Sequence, residues 1–438
     1  MSLAKYDKYK DSGVDWLGDI PEDWEVRRIK DVVKVNPSTL KDIKLRNSII
    51  EFLPMSNVNE ITGTIKEFFF EPYQNVKQGY TAFKNEDVLF AKITPCMENG
   101  NCVIVDGLQN NLGFGSTEFI VFRIDRLKLI NKHIYQFLRN TRFLKKAENF
   151  MIGAAGQRRI SSEYLKIHPI AIPTLVEQTT IASYLDLKTS AIDRKVALLE
   201  QKITNYQQLR KSLINEIVCQ GLDKNVKLKN SGIEWIGMIP EHWEVKRIKD
   251  LTEVKRGASP RPIDDPIFFD DNGEFAWVRI SDLTASERYL EVTKEKLSIL
   301  GASLSVKRYP SDFILSIAGT VGKPIITKIK CCIHDGFVWF PSLKIDCEYL
   351  YYIFSTGLPY QGLGKLGTQL NLNTETVGLI SIPLPSKSEI IEIVSYLDEK
   401  TKKIDSIVSN IKFQIETLKE LRKTLINDVV TGKIKVIQ

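Results

Sequence analysis

The chain has 438 residues, 43% hydrophobic and 26% charged, with a net charge of +7 and a pI near 8.8. These proportions describe an ordinary soluble protein with room for two or three domains, and a charge that suits a polyanionic partner without reaching the signature of a small, strongly basic DNA-binding domain. The start is polar and lysine-rich, and no run approaches signal-peptide or membrane-spanning length, so the cytoplasm is the expected location.

In chain order, the first feature is a segment that returns later. Residues 12–35 read SGVDWLGDIPEDWEVRRIKDVVKV and residues 231–254 read SGIEWIGMIPEHWEVKRIKDLTEV, identical at 15 of 24 positions and offset by 219 residues. Such an internal repeat marks the chain as two copies of one unit. Its tryptophans, Trp16, Trp24, Trp235 and Trp243, are expected to anchor the start of each half by packing rather than to stack on bases.

Apolar runs then predict buried strands at 87–93 and 118–123, a helix around 131–146, a turn at Ala155-Gly156-Gln157, and an extended segment Ile170-Ala171-Ile172 ended by Pro173. The second half has matching landmarks: strands at 312–317 and 337–340, a helix at 347–355, a turn at Gly367-Thr368-Gln369, and Ile382-Pro383-Leu384-Pro385. Gly319-Thr320-Val321-Gly322-Lys323 resembles a phosphate loop, but its glycines are too close together and proline follows where serine or threonine would hold magnesium. It reads as a strand-to-strand turn.

Each half closes on a heptad stripe. In the first, Leu185, Ile192, Leu199, Tyr206 and Leu213 recur every seventh residue. In the second, Leu397, Ile404, Ile411, Leu418 and Leu425 do the same. Five heptads with polar flanks predict a coiled-coil seam on helices of roughly 60 Å, at about 1.5 Å per residue. Ser-Tyr-Leu-Asp occurs at 183–186 and at 395–398, an offset of 212 residues, and even the polar departures coincide, Thr189 with Thr401 and Arg210 with Arg422. Such matched residues would fix register, or the arginines would snorkel at the end of the stripe.

The fold expected is mixed α+β: two α/β globules separated by two long antiparallel coiled-coil helices in a pseudo-two-fold repeat. The expected divisions are 1–176 (first globule), 177–220 (first helix), 221–230 (linker), 231–388 (second globule), 389–431 (second helix) and 432–438 (tail). Antiparallel pairing would put Arg210 and Arg422 at opposite ends of the seam, with Leu199 and Ile411 near its centre. Parallel pairing would bring Leu185 to Leu397.

No catalytic constellation emerges. Asn36-Pro37-Ser38-Thr39 and Asp265-Pro266-Ile267-Phe268 each lack the second proline of an adenine methyltransferase motif, and no glycine-rich cofactor loop accompanies them. Glu244-Val245-Lys246 carries a nuclease-like spacing, but its repeat partner Glu25-Val26-Arg27 lies in a structural block. The six cysteines form no Cys-x-x-Cys pair and read as reduced, mostly buried thiols, and Cys332 with His334 is too short of partners for zinc.

Tandem globules with dissimilar middles, each opened by Ile-Pro-Glu-x-Trp-Glu at 20–25 and 239–244 and closed by a heptad helix, resemble the specificity subunit of type I restriction-modification enzymes. The Ala155-Gly156-Gln157 and Thr368-Gln369 turns, Pro383-Leu384-Pro385 and the two Ser-Tyr-Leu-Asp stretches carry the same resemblance, over nearly the whole chain. Only Ile172-Pro173-Thr174-Leu175 departs, where a proline-richer run is usual. The resemblance implies a non-catalytic subunit whose two target recognition domains read the unlike halves of a bipartite, asymmetric double-stranded DNA sequence. The helices would set their separation, which on one face of B-DNA is roughly 34–36 Å or a multiple.

It also implies two methyltransferase (modification) subunits and ATP-dependent restriction subunits as partners. S-adenosylmethionine and ATP would belong to those partners, and no cofactor or metal to this chain. Base and phosphate contacts are expected from Lys92, Thr94, Gln157, Arg158 and Arg159 in the first globule, and from Arg256, Arg261, Lys323, Gln369 and Asn371 in the second. A stand-alone repressor-like DNA-binding protein and a coiled-coil scaffold are the alternatives.

Overall fold

The opening motif folds the same way in both halves. In a computed structural model, which describes residues 2–38, 48–154, 156–361, 363 and 372–437, Trp24 and Trp243 are each 1% exposed. Trp24 Nε1 donates to Glu177 Oε2 (3.1 Å) and Trp243 Nε1 to Glu389 Oε1 (2.9 Å). Each motif is thereby pinned to the first turn of a long helix by a buried aromatic ring with its polar edge satisfied. Trp16 and Trp235 are half-buried against the same cores.

The chain divides into two compact units, Met1–Gln201 with Ile411–Gln438, and Lys202–Asn410. The first contains β1 (Val33–Val35), β2 (Ile49–Leu53), β3 (Phe69–Pro72), β4 (Thr81–Phe83), β5 (Val88–Ala91), β6 (Cys102–Ile104), β7 (Gly113–Gly115) and β8 (Phe119–Ile124). They form two four-stranded sheets, ordered β6-β5-β8-β1 and β3-β2-β7-β4. The second unit contains β9 (Lys255–Arg256), β10 (Phe275–Val278), β11 (Glu295–Leu297), β12 (Val306–Arg308), β13 (Phe313–Ser316), β14 (Pro324–Thr327), β15 (Cys331–Ile333) and β16 (Phe337–Trp339). Its sheets run β9-β16-β13-β14, extended by Tyr289–Leu290, and β11-β10-β15-β12. Strand for strand the order is the same, down to the parallel pairs β2–β7 and β10–β15. The two middles therefore share a topology that their residues barely show.

The strand within the opening motif also recurs: Glu25–Arg28 pairs antiparallel with Pro169–Ile172, and Glu244–Arg247 with Ser381–Leu384. The helix expected around 131–146 is in fact two, Asn131–Leu138 and Thr141–Glu148. Asn140 breaks it by capping the second, its side chain accepting from the Arg142 and Phe143 amides. Gly319–Lys323 is the turn between β13 and β14, as read from its spacing. All six cysteines are free thiols.

The long helices are α1 (Leu175–Gln220, 46 residues) and α2 (Lys387–Val430, 44 residues). Both stop at a glycine with positive φ, Gly221 (74°) and Gly432 (72°). A Cβ on Gly432 would lie 2.3 Å from Pro21 Cδ, so the end of α2 also needs a residue without a side chain.

Within each unit the helix segments run antiparallel. In the first unit Leu185 shares a core with Ile426, Val429 and Val430, and Asp193 is bonded to Arg422. In the second, Leu397 shares a core with Ile214, Ile217 and Val218, and Arg210 pairs with Asp405. Leu185, Leu397, Ile404 and Ile411 are buried, and Ile192, Leu199, Tyr206, Leu213, Leu418 and Leu425 are half-buried. The polar departures are satisfied within the helix, Thr189 Oγ1 donating to Leu185 O and Thr401 Oγ1 to Leu397 O, both at 2.7 Å.

Candidate nucleic-acid interface

β5 leads into Lys92-Ile93-Thr94, and this segment lies beside residues 156–160. Thr94 N donates to Arg158 O (3.0 Å), Arg158 N to Thr94 Oγ1 (3.1 Å) and Ile160 N to Lys92 O (2.9 Å). Lys92, Thr94, Gln157, Arg158 and Arg159, widely separated in sequence, thus share one edge of the first unit. Gln157 is exposed.

The cations on this edge are already partnered. Arg158 Nη2 donates to Glu148 Oε1 (3.2 Å) and Glu98 Oε1 (2.7 Å), which holds its pKa above the ordinary guanidinium value. Arg159 grips Glu118 through Nε (3.1 Å) and Nη2 (2.9 Å), with Lys92 Nζ 4.0 Å from the same carboxylate.

In the second unit Arg256 and Arg261 converge on one residue. Arg256 Nε donates to the Asp335 carbonyl and Arg261 Nη2 to Asp335 Oδ2 (3.2 Å). Ser259 Oγ donates to the other carboxylate oxygen (3.0 Å). Burial acts to raise the Asp335 pKa, but the Ser259 hydrogen bond and the flanking Arg261 charge outweigh it and leave it below the usual carboxylate value. Lys323 is held elsewhere, by the Thr284 and Ser286 carbonyls, and burial lowers its pKa. Gln369 and Asn371 lie outside the described residues.

Four groups escape a reading of the sequence. Glu118 and Asp335 organise the cations on their edges, and Asp193 and Asp405 hold the seam arginines. Arg422 Nε donates to Asp193 Oδ1 (2.9 Å), and its Nη2 also reaches the Ile61 carbonyl (3.1 Å). Arg210 Nε lies 3.2 Å from Asp405 Oδ1 in an ion pair whose angles fall short of a hydrogen bond. The one available signal was positional, since Asp193 and Asp405 stand 212 residues apart, the offset of the two helices.

The repeated Ser-Tyr-Leu-Asp also gains a reason. Its leucine is a fully buried core residue in each copy, while Asp186 meets Lys132 and Asp398 meets Arg288 and Tyr352. The motif ties a long helix to its globule.

Among the described residues, no group of three or more His, Cys, Asp or Glu could hold a metal ion, and no helix is long and apolar enough to cross a membrane.

Comparison with known proteins agrees with this architecture. The chain is 32% identical over 202 residues to the EcoAI specificity subunit of Escherichia coli, covering 45% of this chain and 33% of that protein. With the MjaVIII specificity subunit of Methanocaldococcus jannaschii it shares 24% over 442 residues, 95% of this chain and 94% of the relative. The match thus spans a third of the E. coli relative but nearly all of the archaeal one. In fold it is similar to a chain of a type I R-M system studied for complex assembly and conformational transition, with a TM-score of 0.79 at 17% identity over 94% of this chain and 99% of that one. The HsdS subunit from Thermoanaerobacter tengcongensis gives 0.57 at 18% identity, over 94% and 98%. The model of the type I restriction modification DNA specificity domain matches twice, at residues 21–205 and 240–417, and the chain belongs to that family, as a tandem of two such domains.

Proposed function

We propose that this chain is the DNA-recognition subunit of a type I restriction-modification complex. Each unit reads one half of a bipartite, asymmetric target, and the chain directs methyltransferase and restriction subunits to it without catalysing a reaction itself. The observation that carries this reading is the pair of globules with one strand order and dissimilar residues on their edges. A common scaffold with different loops is what reading two unlike half-sites requires.

In this reading the target recognition domains are 1–176 and 231–388. The paired helices set the distance between half-sites and offer docking surfaces to two methyltransferase subunits, in the cytoplasm. S-adenosylmethionine and ATP are held by the partners.

The test is methylome sequencing of a host with and without this gene. A bipartite methylated motif should vanish when the gene is removed. Persistence of every motif would refute the proposal. Sequence-specific binding by the isolated chain, equal to that of the assembled methyltransferase, would instead favour a stand-alone DNA-binding protein.

A further inference from the structure

One turn occupies the same place in both units. Ser116-Thr117-Glu118 joins β7 to β8, and His334-Asp335-Gly336 joins β15 to β16, where the chain leaves one sheet for the other. Each turn presents one carboxylate, and each carboxylate is gripped by an arginine from a different loop: Arg159 for Glu118, Arg261 for Asp335. The arginines are not repeat equivalents. The position matching Arg159 in the second half is Asn371, and the second unit draws its guanidinium from the segment after β9 instead. The same arrangement is reached from two sequence origins.

A guanidinium whose charge is offset by its own chain gains little from a phosphate, because the net charge available to displace counterions is small. It keeps its directional donors, now held in one orientation. Glu118 takes the Nε–Nη2 edge of Arg159 and the Gln157 carbonyl accepts from Nη1 (3.5 Å), which leaves one further N–H on each of Nη1 and Nη2 to meet a ligand. Asp335 takes one Nη2 donor of Arg261, whose side chain is 68% exposed. A planar pair of parallel donors on an exposed loop matches the O6 and N7 acceptors of guanine in the major groove.

Building on the DNA-recognition role above, we propose that Arg159 and Arg261 each read a guanine, one in each half-site, and that Glu118 and Asp335 are the positioning residues that aim them.

The experiment uses the assembled methyltransferase complex and reads the methylated sequences in genomic DNA of cells carrying each variant. Glu118→Ala and Arg159→Lys should both lower the preference for guanine at one and the same position of one half-site, by about tenfold. The other half-site should be unaffected. Asp335→Ala and Arg261→Lys should do the same at one position of the other half-site. The lysine variants retain charge and length, so a phosphate contact or a purely structural role would leave base preference intact. Unchanged preference at every position, or a loss spread evenly over both half-sites, would overturn the inference. If the unsubstituted complex yields no bipartite motif, the underlying functional reading fails instead.

Discussion

Two histidines sit where the first unit can least tolerate a charge. His133 is fully buried with Nε2 3.3 Å from the Ala171 carbonyl, and His168 is packed among Phe137, Phe143 and Tyr164. Burial lowers both from the ordinary 6.5 to about 4. The unfolded chain takes up these protons near 6.5 while the folded chain does not until about 4, so stability is complete above 6.5 and is lost as pH falls through that window. Denaturant unfolding of the first unit should weaken by about 1.4 kcal/mol per pH unit for each histidine. His168→Phe should remove roughly half of that slope; an unaltered slope would show that the histidine is not the cause. In the second unit Tyr349 stands where His133 does, donating to the Pro383 carbonyl, so the same place in the core is filled there without a group that titrates in this window.

At the scale of the element, the seam owes its stability to a few buried leucines and isoleucines and its alignment to charge. Leu397 is fully buried while Leu209, on the same kind of helix, is 53% exposed. Leu397→Ala should cost about 2–5 kcal/mol in denaturant unfolding and Leu209→Ala less than about 0.5.

Asp193 and Arg422 are partly shielded, and a double-mutant cycle on them should return a coupling of about 1–3 kcal/mol. The reversed pair, Asp193→Arg with Arg422→Asp, should recover part of the loss of either single change. A coupling near zero would leave packing alone in charge of register. Because Arg422 also reaches the Ile61 carbonyl, its removal should loosen the 59–63 loop of the globule as well, visible as faster amide exchange there.

For the whole molecule, the pairing of the edge arginines with carboxylates changes what salt should do to DNA binding. Free cations would each contribute roughly 0.9 to the logarithmic salt slope. Replacing Arg158 and Arg159 together by alanine should weaken binding by the assembled methyltransferase, with the slope falling by less than that amount per residue, since Glu98, Glu148 and Glu118 already offset them. A fall of the full amount would mean that the carboxylates let go on binding.

Much of this was legible in the chain. The 219- and 212-residue offsets, the heptad stripes, the anchoring tryptophans and the Gly319–Lys323 turn are local or periodic signals, and a periodic apolar pattern dictates which face of an element is buried wherever that face ends up. The split of the 131–146 helix was local too, a capping asparagine read as helix interior.

What only the tertiary structure decided is which surfaces meet. The antiparallel sense of the helices, the common strand order of two dissimilar globules, and the choice of Glu118, Asp335, Asp193 and Asp405 as partners all depend on groups far apart in sequence, 229 residues for Asp193 and Arg422. A surface carboxylate in a sequence looks the same whether it faces water or an arginine, because its partner is set by packing, and the packing energy is spread over the whole core.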